Sequence, residues 1–257
     1  MNPSLPQVAR IEDITTESPR VRTLALDLTL QAEPGQFVMA WLPGLDEKPF
    51  SLVCSDPVTL TIAQVGPFSS AVHALEPGGR LWIRGPLGAA FRLPENEPST
   101  GDLLLIGGGY GVAPLHFLAQ HALSAGWAAS MVIGARTAID VIFAERFQRL
   151  GVKVAITTDD GSRGQQGVAT DAARQLLDQG TYRALYACGP DPMLQAVEAL
   201  AQDRQISAQL SYERHMRCGF GICGSCARGG WRVCKDGPVK QVELAKIRSP
   251  QEPSEKI

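Results

Sequence analysis

The hydrophobic period of this chain changes partway along its length. Leu24, Leu26, Leu28 and Leu30 alternate with Ala25, Asp27 and Thr29, a period of two that predicts a strand with one buried face. Pro34-Gly35 turns the chain, and residues 36–42 predict a second strand. Further strands are expected over 50–54, 60–65 and 81–84, separated by punctuation such as Pro77-Gly78-Gly79. Short strands at this spacing predict an antiparallel barrel. Beyond Gly101 the pattern alternates between strand and helix. Strands are expected over 103–106, 129–134, 152–157 and 183–188, and helices over 115–123, 138–150, 170–178 and 193–201. Repeated strand–helix units predict a parallel, doubly wound sheet. A strand-like link over 208–213 then leads into a segment rich in Cys and Gly, in which Lys235 to Pro238 reads as a turn between two short strands. That segment has too little apolar sequence to fold unaided, so bound metal is expected to supply much of its stability.

The pattern divides the 257 residues into a β-barrel over 1–98, an α/β domain over 99–209 and a small module with its tail over 210–257. With 44% hydrophobic and 19% charged residues and a net charge of −2, nothing points to a nucleic-acid or anionic-membrane partner. Residues 103–135 contain no Asp, Glu, Lys or Arg and could pass for a membrane span. They also hold Gly107-Gly108-Gly109, Pro114, two His and Gln120; a strand, a glycine turn, a helix and a second buried strand account for them better. Residues 1–10 lack the apolar core of a signal peptide. The tail over 249–257 is polar, rich in Pro and Glu, and expected to be mobile.

Four of the six cysteines fall in Cys218-Gly-Phe-Gly-Ile-Cys223-Gly-Ser-Cys226 and the later Cys234. The spacing C-x4-C-x2-C followed by a fourth Cys is that of plant-type [2Fe–2S] centres. Gly219, Gly221 and Gly224 lie between the ligands, where a loop wrapping a cluster needs torsions that other residues avoid. Four thiolates also suit zinc, but structural zinc usually brings two C-x2-C knuckles, and only one is present. Thiols that bind metal must be reduced, which implies a cytoplasmic setting.

The expected strand ends carry the other chemistry. Gly107 to Pro114 follows an apolar strand and opens a helix, the context of a nucleotide turn. Thr158-Asp159-Asp160-Gly161-Ser162 and Cys188-Gly189-Pro190-Asp191-Pro192 also fall at strand ends, where ligands of such sheets bind. Cys188 reads equally as a small buried hydrophobe. In the barrel, Lys48-Pro49-Phe50-Ser51 places a cation and a hydroxyl around a rigid turn, and Gly66-Pro67-Phe68-Ser69-Ser70 precedes a short helical stretch. A Gly/Ser loop opening a helix suits an anion, and it is equally an ordinary Ser cap.

The order barrel, nucleotide domain, cluster loop resembles the ferredoxin-NADP reductase superfamily, and within it the electron-transfer subunits of NAD-linked (class 1B) dihydroorotate dehydrogenases, over about residues 5–245. The resemblance implies that Lys48-Pro49-Phe50-Ser51 is the flavin segment, with Lys48 where Arg is usual. It places Ile62 and Ala63 on the strand lining the flavin, and Gly66, Ser69 and Ser70 at the FAD pyrophosphate. It assigns Gly107, Gly108, Gly109, Gly111, Val112 and Pro114 to the nicotinamide-nucleotide turn and Gly134-Ala135-Arg136 to the adenosine ribose, while Asp160, in its strand-end loop, is also expected to bind NAD. Cys188, Gly189, Pro190, Asp191 and Met193 would lie near the nicotinamide, and Cys218, Cys223, Cys226 and Cys234 would hold the cluster. The implied activity is that of an oxidoreductase subunit. Electrons would pass from an FMN-bearing dihydroorotate dehydrogenase chain through [2Fe–2S] and FAD to NAD+ in pyrimidine biosynthesis, in a heterotetramer. No acid–base pair for dihydroorotate oxidation is recognisable in this chain. The same wiring would serve a ferredoxin-, hydrogenase-, sulfide- or sulfite-linked NAD(P)H oxidoreductase. A zinc-stapled nucleotide-binding scaffold is the reading from another class.

Overall fold

A computed structural model describes residues 5–244 except 96, 99 and 100, so the tail over 249–257 lies outside the described residues. Six strands form the first layer: β1 (Gln7–Ser18), β2 (Val21–Leu26), β3 (Phe37–Leu42), β4 (Asp46–Ser55), β5 (Val58–Ala63) and, after helix α1 (Pro67–His73), β6 (Arg80–Leu87). They close into an antiparallel barrel in the order β1-β2-β5-β4-β3-β6. Its core takes the inward set of the alternation, including Leu24, Leu26, Leu60, Ile62, Leu81 and Ile83. The leucine alternation runs past the end of β2: Leu30 still donates its N–H to Ser55 O at 2.9 Å.

Lys48 to Ser51 form no turn. They lie inside β4, where Pro49 faces Met39 of β3. Pairing between β4 and β5 begins only at Leu52, so residues 46–51 are bonded on one side. Proline is tolerated there because the open edge asks for no donor.

The second layer contains β7 (Asp102–Gly108), α2 (Val112–Ser124), β8 (Ala129–Ala135), α3 (Ala144–Arg149), β9 (Lys153–Thr158), β10 (Gln165–Gln166), α4 (Ala169–Gln179), β11 (Tyr182–Cys188), α5 (Asp191–Asp203) and β12 (Ser207–Ser211). The sheet order is β10-β9-β8-β7-β11-β12, all parallel. Leu103 to Ile106 are fully buried, as expected of a central strand covered on both faces. The charge-free stretch 103–135 is β7, α2 and β8, and among the described residues no helix is long and apolar enough to cross a membrane.

The helix expected over 138–150 is broken. A 3-10 turn covers Ala138–Asp140, and α3 begins only at Ala144. Val141, Ile142 and Phe143 between them are all buried. Three consecutive inward side chains do not fit one helix face, so packing overrides the local pattern. Phe143 takes φ 67°, and its ring and that of Phe147 meet His116 edge-on at 5.5 and 5.4 Å.

The remaining residues form a hairpin of β13 (Ala227–Arg228) and β14 (Trp231–Arg232), a one-turn helix α6 (Val233–Asp236) and β15 (Val239–Gln241). The expected turn at Lys235 to Pro238 is thus the end of α6 and a loop. β15 adds to the large sheet antiparallel to β12. The segment linking barrel and sheet is pinned at Arg92. Its carbonyl accepts from Tyr186 Oη at 2.8 Å and Gln209 Nε2 at 2.7 Å, and its N–H donates to Gln209 Oε1 at 2.8 Å.

Candidate functional site

All three parts of the chain meet at one cleft of about 510 Å³. The half of β4 that pairs with β3 alone gives it Pro49, Phe50 and Ser51, and β5 gives Thr61 and Ala63. The nucleotide domain adds Tyr110, Ala113 and Pro114, and the segment after β12 adds Tyr212 to Met216. Glu213 meets water at the mouth of the cleft, while the protein around its carboxyl desolvates it. That desolvation, with Asp191 nearby, holds the group above the usual carboxylate range.

Several residues singled out in the sequence face elsewhere. Lys48 does not line the cleft; its ammonium pairs with Asp46. The alternation of β5 buries Ile62 in the barrel core and turns Thr61 and Ala63 outward. At the start of α1, Ser69 is buried, and its hydroxyl accepts from the N–H groups of Val65 and Gly66 at 2.9 and 3.0 Å and donates to Gly66 O. Ser69 therefore holds the turn together, while Ser70 is exposed.

The nucleotide turn packs against the end of β11. A methyl group on Gly111 would stand 2.2 Å from the carbonyl oxygen of Cys188, and one on Gly108 2.8 Å from Met193 Sδ. Gly107 is closed in by Met131 and Val112, and Gly189 by Met193 and Gly108. Gly109 alone of the four glycines in the turn is open, with φ +55° and no atom within 4 Å of its would-be Cβ. Val112 is fully buried, and Pro190 precedes α5 as its cap. Cys188 lies below this junction, 1% exposed, and burial pushes its thiol well above the ordinary range. It is a neutral thiol beneath the site. Arg136 and Asp160 are exposed on adjoining loops, where Asp160 N–H donates to Arg136 O at 3.3 Å. The Ser162 hydroxyl and N–H hold the Asp160 carboxyl below its usual range.

Asp191 faces the small module. Its two oxygens accept from Arg214 at 2.7 Å and Arg228 at 3.2 Å, and the Arg228 guanidinium lies 4.7 Å from the centre of the Tyr212 ring. No residue spacing signals this bridge, because its three members come from separate elements.

In the cysteine loop, Gly219, Gly221 and Gly224 have φ +75°, +89° and +74°, the torsions that the spacing anticipated. Cys226 and Cys234 are buried, Cys218 is half-buried and Cys223 is exposed. The thiols fall into two neighbouring pairs, Cys218 beside Cys223 and Cys226 beside Cys234. Burial raises the Cys218 thiol, but the N–H groups of Cys223, Phe220 and Ile222 outweigh it and bring the group below the usual cysteine value. The Ser225 hydroxyl and the N–H groups of Ser225 and Cys218 lower Cys223 to about 6. Burial, with Cys226 beside it, raises Cys234 to about 12. Cys234 N–H points at Cys226 Sγ over 3.4 Å. Among the described residues no three His, Cys, Asp or Glu side chains gather about one ion. Two thiol pairs with N–H groups aimed at sulfur suit two irons bridged by sulfide better than one zinc.

Comparison with known proteins agrees with this geometry. Residues 213–244 match the iron-sulfur cluster binding domain of dihydroorotate dehydrogenase B, and residues 105–199 match the oxidoreductase NAD-binding domain. The chain is 38% identical, over 91% of its length and 89% of the relative's, to the dihydroorotate dehydrogenase B (NAD+) electron transfer subunit of Methanocaldococcus jannaschii. It is 40% identical to the subunit of that name from Methanothermobacter thermautotrophicus, over 95% of this chain and 92% of the other. The chain belongs to the dihydroorotate dehydrogenase B electron transfer subunits. Among solved structures, an NADH-dependent reduced ferredoxin-NADP oxidoreductase superposes with a TM-score of 0.81 at 26% identity, covering 91% of this chain and 88% of that one. The cytochrome P450 reductase GcoB of Amycolatopsis superposes with a TM-score of 0.65 at 26% identity, covering 77% of this chain and 67% of the other.

As a member of that family, the chain is the electron-transfer part of an oxidoreductase, with an iron–sulfur module and an NAD-binding domain. Its family name implies a catalytic dihydroorotate dehydrogenase partner. Tyr110, Thr61, Tyr212 and Arg214 belong to the cleft although no sequence motif marked them. Only the aromatic Tyr110, inside the glycine turn, carried a readable hint.

Proposed function

We propose that this subunit relays electrons from the FMN of a dihydroorotate dehydrogenase catalytic chain, through a [2Fe–2S] cluster and an FAD, to NAD+. The observation that carries the reading is the single cleft bounded by the barrel, the nucleotide turn and the stem of the cluster module. FAD exchanges a hydride with nicotinamide and single electrons with an iron–sulfur centre. Phe50, Pro49 and Ala63 offer flat apolar walls to an isoalloxazine ring, and Ser51 and Thr61 offer hydroxyls to its polar edge. Exposed Ser70 and the backbone of the turn at Gly66 face the pyrophosphate, with Ser69 holding that turn in shape. Gly109 leaves the backbone bare for the nucleotide, and the compact packing of Gly108, Gly111, Cys188 and Met193 sets the depth to which it enters. Tyr110 and Pro114 bound the nicotinamide side. Cys218, Cys223, Cys226 and Cys234 hold the cluster.

The ionised Asp160 beside Arg136 favours NAD over NADP, because a 2′-phosphate would meet a carboxylate where it needs cations. NADH should therefore reduce the protein much faster than NADPH. Residues 1–98, 99–209 and 210–257 act as flavin, nucleotide and cluster domains, the last returning β15 to the nucleotide sheet. The working assembly is a heterotetramer of two such chains on a catalytic dimer, in the cytoplasm.

Co-expression with the FMN-bearing catalytic chain tests the reading. Dihydroorotate should then reduce NAD+, and neither chain alone should support that rate. The likeness to the ferredoxin-NADP oxidoreductase favours a ferredoxin-linked reductase as the second reading. NAD+ reduction driven by reduced ferredoxin but not by dihydroorotate would replace the first with the second.

A further inference from the structure

Arg84 is a charged residue on a barrel strand, yet only 6% exposed. Its Nε and Nη2 donate to Glu47 Oε1 and Oε2 at 3.0 and 2.9 Å, a planar fork on one carboxylate. Nη2 also donates to the carbonyl oxygen of Cys218 at 2.9 Å. Its Nη1 is buried with no hydrogen-bond partner among the described residues. A buried guanidinium with one nitrogen unsatisfied is a costly way to fill a barrel wall. Two further contacts converge on the same spot. The Phe220 ring lies over the guanidinium, 5.4 Å from centroid to carbon. Gly219 lies so close to the barrel that a Cβ there would stand 2.9 Å from Met39 and 3.2 Å from Leu87. Cys218, Gly219 and Phe220 are therefore held against the barrel by a hydrogen bond, a close backbone approach and a ring contact.

The strands that supply this hold also build the flavin wall. Met39 lies two residues beyond Phe37 on β3, and Glu47 two residues before Pro49 on β4; Phe37 and Pro49 line the cleft. We propose that Arg84, anchored by Glu47, is a positioning residue that fixes the Cys218 end of the cluster loop to the two strands lining the flavin cleft. The separation between cluster and flavin is then set by the rigid barrel rather than by the small module alone. Electron transfer falls steeply with distance, so a loosened loop slows the relay even when the cluster is intact. The inference rests on the relay described above.

The test uses the full chain with its cofactors and three variants: R84K, E47Q and the double variant R84M/E47M. Lysine keeps the charge but cannot make the planar fork and reach Cys218 O together. E47Q weakens the anchor without burying a new charge, and it covers the case in which the double variant fails to fold. Two measurements are made. The first is the electron paramagnetic resonance spectrum of the cluster after reduction with dithionite, which reads the loop without using the relay. The second is the rate of cluster reduction by NADH against that of flavin reduction. All three variants that fold should show shifted or broadened g-values and faster iron loss to a chelator. Cluster reduction should slow several-fold, while NADH still reduces the flavin. Unchanged g-values and unchanged cluster reduction in R84K and E47Q would overturn the proposal and leave Arg84 a residue of fold stability. If the wild-type cluster is never reduced by NADH, the relay fails, and the dithionite spectra still decide whether Arg84 positions the loop.

Discussion

Adding one methyl group at Gly111 separates two roles of the glycine turn. Gly111 has helical torsions, φ −61° and ψ −12°, so alanine there meets no backbone penalty. It meets a wall: the new Cβ would lie 2.2 Å from Cys188 O and 2.5 Å from its carbonyl carbon. Both neighbours are backbone, so the turn and the end of β11 must move apart by about 1 Å to reach ordinary contact. Overpacking of this kind costs about 1–3 kcal/mol. A displacement of that size at a binding turn costs on the order of 100-fold in the rate of the step it positions. Gly109→Ala is the opposite case. Nothing lies within 4 Å, but φ is +55°, so the cost is about 1 kcal/mol of backbone strain with no displacement of β11. Stopped-flow reduction of the flavin by NADH, with urea melts of each variant, separates them. Gly111→Ala should lose most of its reduction rate; Gly109→Ala should lose stability and raise the NADH concentration needed for half-maximal rate. A Gly111→Ala protein with wild-type stability and kinetics would refute the packing argument.

Cys223→Ser should abolish the iron–sulfur absorption and transfer to the partner while flavin reduction by NADH persists, checked by spectra and iron content; loss of flavin reduction in a folded protein would reverse the order of the relay. Asp191→Asn should weaken the bridge from the nucleotide domain to the cluster module. Its two arginine partners are about a third exposed, 30% and 34%, which limits the loss to about 1 kcal/mol, seen as faster iron release to a chelator. The Asp191 carboxyl lies below its usual range, chiefly through Arg214. Its contribution is therefore present at neutral pH and fades as acid protonates the folded carboxylate. His116 is buried, and desolvation, with Arg146 and Arg149 nearby, lowers it to about 4. The unfolded chain takes up that proton first as pH falls. The wild type should thus lose about 2 kcal/mol between about pH 7 and about pH 5 from this group, and His116→Leu should lose correspondingly less in urea melts at the two pH values.

The elements most legible in the sequence were those whose side chains report one environment. Leu103 to Ile106, buried on both faces, read as a central strand, and the glycines of the cysteine loop read as positive-φ positions. β1 was not legible. It closes the barrel against β2 and β6, yet of its twelve residues only Ala9 and Ile11 are buried, so it shows no alternating face. The helix expected over 138–150 is broken because Val141, Ile142 and Phe143 all turn inward, which no single helix face allows. At the site, motifs located the strand ends correctly but could not say which way a side chain points. Ile62 against Ala63, and Ser69 against Ser70, are neighbours that the pleat and the turn send to opposite sides. The Asp191 bridge and the Arg84 clamp join residues far apart in the chain, 23 positions for Asp191 and Arg214 and 134 for Arg84 and Cys218; only the folded arrangement reveals them.

The relay requires flavin and cluster to be wired together inside this one subunit. An anaerobic titration of the purified chain with NADH, following absorption and the paramagnetic signal with iron and flavin counted, tests it most directly. The expected result is about two irons and about one FAD per chain, with NADH bleaching the flavin and giving the signal of a reduced [2Fe–2S] cluster. A colourless protein holding one zinc, or a flavin that bleaches while an intact cluster stays oxidised, would contradict it.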